Sequence, residues 1–306
     1  MSTLTRAELT NRLDRFLAAL PARDRGPAGF AADARYTENG VALPLGEGLW
    51  ATADELGAYR HDFLDPVSGQ AACFATVREG QTRSIFAARI KLADEAITEA
   101  EVVIARPDLG GGGPFPNGPR ALDESGGPDP SWFEPIPADE RMSREELGRI
   151  ANLYFAGLEK NDGKGEYPFA DDCVRIENGE LVTAEPSAQG AGTGRDTQTP
   201  YRLDLKAMNA RQQFESGFFA FVDRIRERRF PLVDEERGVV FTFAFFDHSG
   251  TVREYQLADG TATTAGLDRP FTWMIAEAFR IERGLFTRIE VLMTAVPYGM
   301  SSGWPE

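Results

Sequence analysis

Six side chains stand out as able to do chemistry: Glu38, Tyr36 and His61 early in the chain, and Glu177, Arg175 and Glu277 later. A carboxylate in apolar surroundings is driven toward its neutral form and becomes a general acid or base near neutral pH. Histidine titrates there without help, and a neighbouring tyrosine or arginine can hold a substrate oxygen. Glu277 lies in the apolar run Trp273-Met274-Ile275-Ala276-Glu277-Ala278. Strand alternation puts Trp273, Ile275 and Glu277 on one face, so this carboxylate keeps apolar company. His61 has Tyr59, Asp62 and Tyr36 within reach in sequence. The other histidine, His248 in Asp247-His248-Ser249-Gly250, reads as an exposed turn at a strand end. Arg175, with Tyr201, Arg202, Arg211 and Glu215, can hold an anion or a polar substrate end. Asn39, Trp50, Tyr59, Asn178, Tyr201, Arg202, Trp273 and Tyr298 are the candidate substrate contacts. Each residue also has a plain alternative: a solvated turn for Glu38 and Glu177, surface ion pairs for the arginines, and ordinary core for the aromatics.

The elements that must position these residues are written twice. Arg35-Tyr36-Thr37-Glu38-Asn39-Gly40 returns as Arg175-Ile176-Glu177-Asn178-Gly179. Upstream, Thr5-Arg6-Ala7-Glu8-Leu9 is answered by Ser143-Arg144-Glu145-Glu146-Leu147, each a capping box opening an amphipathic helix. Pro21 is expected to end the first helix. Downstream, Ile97-Thr98-Glu99-Ala100-Glu101-Val102 is answered by Phe286-Thr287-Arg288-Ile289-Glu290-Val291. The chain therefore reads as two copies of one domain. Asn-Gly predicts a tight hairpin in each copy. A helical piece follows over 49–63 and again over 218–232, then a three-strand meander. The expected domains are 1–106 and 141–306, joined by a Gly/Pro-rich linker over 107–140 that Trp132 and Phe133 pin in place. Loop insertions are expected at 184–207 and 249–270. In each copy a curved mixed or antiparallel sheet wrapped around helices would enclose one apolar hollow, an α+β cone-shaped barrel.

At 306 residues the chain has room for two domains of ordinary size, and 42% hydrophobic content supplies two cores. A net charge of −15 repels nucleic-acid backbones and anionic lipid surfaces, which argues against both as partners. The two cysteines, Cys73 and Cys173, fall in different copies and read as buried thiols of a reducing compartment. With no apolar leader and no run of about 18 apolar residues, a cytoplasmic location is expected. The sequence has no metal-ligand spacing, and glycines 110–113 do not open a phosphate-binding strand–loop–helix. Neither a metal nor an organic cofactor is expected.

The order of helix, Glu-Asn-Gly hairpin and meander resembles the SnoaL-like, nuclear-transport-factor-2-like superfamily, also termed cystatin-like. More closely, it resembles a tandem two-copy family of bacteria and fungi. The stretches that carry the resemblance are Arg35-Tyr36-Thr37-Glu38-Asn39-Gly40, Leu45-Gly46-Glu47-Gly48-Leu49-Trp50, Asp65-Pro66-Val67-Ser68-Gly69-Gln70 and Pro297-Tyr298-Gly299-Met300-Ser301-Ser302-Gly303-Trp304. The superfamily includes ketosteroid isomerases, polyketide cyclases, scytalone dehydratase and lyases of lignin-derived aromatics, besides members without catalysis. In its isomerases the base precedes the hairpin turn, which corresponds here to Glu38 or Asn39 and Glu177 or Asn178. This sequence has no Asp there.

These observations lead to an expected function: a cofactor-independent lyase or isomerase using general acid–base catalysis. Its substrate would be a hydrophobic, aromatic small molecule bearing a hydroxyl or carbonyl. The alternative is a non-catalytic small-molecule-binding or scaffold protein. The two copies are expected to pack as an internal pseudo-dimer, and a homo-oligomer is left open.

Overall fold

Thr5 and Ser143 each hold the backbone extended while their hydroxyls accept from the amides of Glu8 and Glu146 in the first helical turn, and the carboxylates of Glu8 and Glu146 return the bond. Two helices are fixed in this way. The computed structural model describes residues 4–93, 95–109, 115–184, 203–265 and 267–304. In chain order, α1 (Arg6–Ala22) leads into the hairpin β1 (Phe30–Glu38) and β2 (Val41–Ala42), then the single turn α2 (Leu49–Thr52). A meander follows: β3 (Glu55–Asp65), β4 (Gln70–Glu79), β5 (Thr82–Ala93) and β6 (Ala96–Ala105). The connection carries α3 (Gly118–Glu124). The second set is α4 (Arg144–Leu158), β7 (Phe169–Glu177), β8 (Glu180–Leu181), α5 (Ala210–Glu215), β9 (Arg224–Asp234) and β10 (Val239–His248). It closes with the small hairpin β11 (Glu254–Gln256) and β12 (Ala262–Thr264), then β13 (Phe271–Glu282) and β14 (Leu285–Val296).

The strands form two six-stranded mixed sheets with the same order, β2-β1-β6-β5-β4-β3 and β8-β7-β14-β13-β10-β9. In each, one parallel pairing (β1 with β6, β7 with β14) joins an otherwise antiparallel array. This α+β architecture is consistent with two tandem domains. Three expectations need correction. The segments 49–63 and 218–232 are not helical: after one short turn each becomes a long strand, β3 or β9, so each meander has four strands. The sheets are open rather than closed barrels, since β2 and β3, and β8 and β9, remain edges. Finally, α1 runs one residue past Pro21, because Arg23 takes a left-handed conformation and its amide closes the last turn.

Each sheet is buried on both faces. One face of the first carries Ala71, Cys73, Ala75, Phe86, Ala88 and Val102 against Leu9, Leu13, Phe16, Leu17 and Leu20 of α1. The opposite face, with Ala72, Phe74, Ile85, Ala87 and Val103, packs on Phe241, Phe243, Phe245, Met274, Ala276 and Ala278 of the second sheet. Small residues let the sheets approach while phenylalanines fill the gaps. This explains why β4 and β10 read as nearly unbroken apolar runs. Among the described residues no helix is long and apolar enough to cross a membrane. Cys73 and Cys173 are both free and buried.

Contacts between the halves come in matched pairs. Arg144, the first residue of α4, grips Asp65 at the end of β3 at 2.7 and 3.0 Å, and Arg6, opening α1, pairs with Asp234 at the end of β9. The Asn-Gly turns are matched too. Asn39 exchanges two hydrogen bonds with the Ile104 backbone (2.8 and 3.1 Å), and Asn178 does the same with Met293 (2.8 and 2.9 Å). Gly40 and Gly179 complete these turns at positive φ. Each turn receives the segment that follows the other half's last strand. Gly303 lies so close to Gly40 that a Cβ on it would stand 2.5 Å from the Gly40 carbonyl oxygen, and a Cβ on Gly118 would overlap that of Asn178.

Candidate functional site

Glu38 points inward, 7% exposed, and its carboxylate is taken up by its neighbours. Its carboxylate accepts from the Leu49 amide at 2.6 Å, from the Tyr36 hydroxyl at 3.1 Å and from Arg106 at 2.9 Å. It therefore holds α2 in place and neutralises an arginine. Tyr36 is core, its hydroxyl pushed well above the usual range by burial and by Glu38. Trp50 is core as well, edge-on to Phe16 and Phe30 at 5.6 and 5.7 Å. The first interior is thus apolar apart from its rim. An open cleft of about 390 Å³ lies outside it, lined by Arg23, Thr52, Asp54, Glu79, Arg106 and Asp108. These charges largely satisfy one another, Arg23 with Asp54 and Arg106 with Glu79.

His61 and Tyr59 do not join Glu38. Both stand on β3, not on a helix over a cone mouth, and face the second domain. There His61 Nδ1 lies 2.7 Å from Glu290, and Tyr59 donates to the same carboxylate at 2.8 Å. The matching position on the other side is Glu101, fully buried and held by Arg229 of β9 and by Arg89. Trp132, from the connection, packs 4.8 Å from the His61 ring, with Phe133 at 5.6 Å. His61 thus belongs to the packing between sheets, and Tyr298 is 47% exposed, away from any interior. Asn39 and Asn178 spend their amides on the backbone, as described above. Tyr201 and Arg202 lie outside the described residues.

The second interior is different. Arg175, on β7, points into the interior of the second domain at 3% exposure, ringed by Phe214, Phe219 and Tyr154 with its guanidinium 5.6–5.8 Å from each ring. It donates to Glu177 at 2.7 Å, to the Tyr154 hydroxyl at 3.1 Å and to Gln213 Oε1. Its Nε has no partner among the described residues. Burial opposes its charge, yet Tyr154, Glu177 and Glu277 outweigh burial and hold its pKa above the ordinary value. Glu277 projects from β13 into the same space, 1% exposed, on the face shared with Ile275 and Phe279 as the alternation predicts. Neither of its oxygens makes a hydrogen bond of good geometry among the described residues, although Tyr154 and Arg175 stand close enough to favour ionisation. Burial wins and pushes its carboxyl up to about 8, so Glu277 carries a proton at neutral pH. Trp273, half-buried, continues that face outward.

Tyr154 and Gln213 complete the cluster and were not among the expected site residues. Tyr154 sits on the apolar stripe of α4, where a tyrosine is indistinguishable from core until β7 brings Arg175 to its hydroxyl. Gln213, 1% exposed, holds Arg175 with its oxygen while its amide donates to the backbone of Val182 and Leu205. The signal that did exist was the short helix after an Asn cap, where Gln213 is buried beside Ala210 and Phe214 while Gln212 returns the bond to the cap. His248, expected at the surface, is 2% exposed beneath Phe221 and Phe271.

Among solved structures with some similarity is a de novo designed protein with a curved β-sheet, 12% identical over 50% of this chain and 88% of that one, TM-score 0.26. Another is AclR, a putative hydroxylase from Streptomyces galilaeus, 16% identical over 54% of this chain and 89% of that one, TM-score 0.30. Likeness at that level says nothing about activity. No curated protein matches the chain. A family model does, over residues 140–293, the part that contains the whole Tyr154–Arg175–Glu177–Gln213–Glu277 cluster. By that match the chain belongs to the family described as a domain of unknown function, DUF8021.

Proposed function

We propose that the second domain is a general acid–base site acting on a hydrophobic, aromatic small molecule that bears a hydroxyl or carbonyl, as a lyase or isomerase. The observation that carries this reading is Glu277, a fully buried carboxyl whose oxygens make no hydrogen bond of good geometry among the described residues, beside Tyr154 and a buried arginine. Leaving such a group unmatched costs roughly 1–3 kcal/mol, more when it is charged, and folding alone gains nothing from it. The aromatic wall supplied by Phe214, Phe219, Phe279 and Phe286 suits a flat apolar substrate.

Elimination of water from a β-hydroxy ketone illustrates how the residues would act. The free Nε–H of Arg175 and the Tyr154 hydroxyl are the donors at hand for the ketone oxygen, on which charge grows in the transition state. Glu277 gives its proton to the departing hydroxyl. The Cα–H bond breaks, its electrons form the C=C bond, and the Glu277 carboxylate takes up the Cα proton. Water leaves and the acid form is restored. Glu177 keeps the guanidinium of Arg175 balanced in charge throughout.

The test is turnover of aromatic β-hydroxy ketones, followed by absorbance of the conjugated enone. Glu277→Gln should lower the rate by about 10²–10⁴-fold, the usual worth of a positioned acid–base group. Equal rates for the two proteins would remove Glu277 from the chemistry. Ligand binding without turnover in either would leave a binding protein instead.

A further inference from the structure

His248 closes β10 on the same face of the second sheet as Phe246, at the end of the strand. Its imidazole lies parallel to the Phe271 ring, 3° apart with centroids at 4.6 Å, and more loosely against Phe221, at 29° and 5.7 Å. The ring is 2% exposed, yet Nδ1 has no hydrogen-bond partner among the described residues. Burial pushes its pKa down to about 4 in spite of the Phe246 carbonyl, Asp223 and Asp247, so the ring is neutral at physiological pH. A neutral imidazole presents one N–H and one bare nitrogen; the Phe246 carbonyl lies near enough to favour the charged ring, yet Nδ1 makes no hydrogen bond of good geometry among the described residues.

Nothing in the packing requires a histidine at this place. A phenylalanine would stack as well and leave no orphaned nitrogen. Phe221, half-buried on the short turn Phe218–Phe221, is the looser wall, and that turn starts from Gly217 at φ 72°, where other residues are strained. Its neighbour Phe219 covers Arg175. One aromatic turn therefore roofs both the acid–base cluster and the histidine.

We infer that His248 is a separate subsite for the hydroxyl of an aromatic alcohol, whose ring slides in on the Phe221 side while its O–H meets Nδ1. A hydroxyl suits either tautomer, since it can donate to a bare nitrogen or accept from an N–H. The subsite goes beyond the proposed function, taking a separate aromatic alcohol, and it does not depend on Glu277. Glu277 is six positions along β13 from Phe271, about 20 Å at the strand rise of ~3.3 Å per residue. A phenol at His248 cannot touch it.

The experiment is a titration of the full chain, ¹⁵N-labelled at histidine, with phenol and with toluene, watched through the imidazole nitrogens. There are two histidines, so His248→Phe assigns the signals. Phenol should move the His248 Nδ1 resonance, and toluene should not. His248→Phe should bind phenol about tenfold more weakly, the worth of one hydrogen bond in a buried site, with toluene affinity unchanged. Glu277→Gln should leave the phenol response intact even if the acid–base reading fails. An Nδ1 signal that phenol does not move, or moves no more than toluene does, overturns the proposal. If His248→Phe folds poorly, His248→Gln assigns the signals instead, and the deciding readout still comes from the unmutated protein.

Discussion

The protonated state of Glu277 has a consequence for stability that can be measured without knowing any substrate. An unfolded chain ionises this carboxyl near the ordinary glutamate value of 4.5, whereas the folded chain holds the proton up to about 8. Because the folded state binds the proton more tightly, the contribution of Glu277 is fully present below pH 4.5. It is lost as pH rises from there through about 8. At 1.36 kcal/mol per pH unit over that gap, the loss approaches roughly 4–5 kcal/mol. Glutamine has the shape of the protonated acid and no titration. Glu277→Gln should therefore match the parent near pH 5 and exceed it progressively toward pH 8, by several kcal/mol. Urea unfolding of both proteins at pH 5, 6.5 and 8 gives the difference directly, provided the m-values agree. Carboxylates titrating elsewhere cancel in the subtraction. A difference that stays constant with pH would show that Glu277 is ionised, or solvated, in the folded chain. Either result would remove the physical basis for using it as an acid.

Two further outcomes concern the frame around the site. Gly303→Ala must adopt a left-handed φ of 70° and push against the Gly40 carbonyl, so a loss of about 1–3 kcal/mol in urea unfolding is expected; an unchanged midpoint would mean that the tail is not seated on the first hairpin. Asp65 is held below its ordinary pKa: burial works against its charge, but hydrogen bonds from Arg144, Ser68 and the Val233 amide outweigh it. Its contribution is present above the unfolded value of about 3.8 and is lost as pH falls below that, so Asp65→Asn should be less stable than the parent at pH 7 and converge with it near pH 2–3; parallel pH curves would refute this.

How much of this was legible in the sequence depended on how local the signal was. The capping boxes, the Asn-Gly turns and the faces of β13 follow from short-range pattern, and each formed as the spacing required. The segment 49–63 misled because Leu49 and Trp50 do start a helical turn. The deciding signal lay further on, where Tyr59, His61 and Phe63 are buried at every second position, the period of a strand. His61 was then misplaced along with its element. The role of Glu38 was half visible: its position before the turn put it inside, but its partner Arg106 comes from the end of a strand far along the chain. His248 was misread for a similar reason. Asp-His-Ser-Gly has turn composition, yet the rings that bury the histidine come from Phe221 and Phe271 on other elements.

The two interiors can be compared position by position, and the comparison argues for a division of labour. Phe16 and Tyr154 occupy the same place after their capping boxes, Tyr36 and Arg175 the same place before their turns. Ala88 and Glu277 match as well, each pairing in register with the valine, Val102 or Val291, that receives the amide of its domain's turn asparagine. At these three places the first domain has phenylalanine, tyrosine and alanine, which pack without leaving a charge buried. The second has tyrosine, arginine and glutamic acid, and must bury a guanidinium and the Glu277 carboxyl among phenylalanines. Desolvating such groups is unfavourable by several kcal/mol per ion, only partly offset by their pairing. The same fold demonstrably closes without them, since the first domain does so. The polar set is therefore not a requirement of the architecture, and the group with the poorest pairing, Glu277, is where an occupant would complete the site. On this argument the first domain serves as the support that holds the second sheet from behind, and the proposed chemistry belongs to the second.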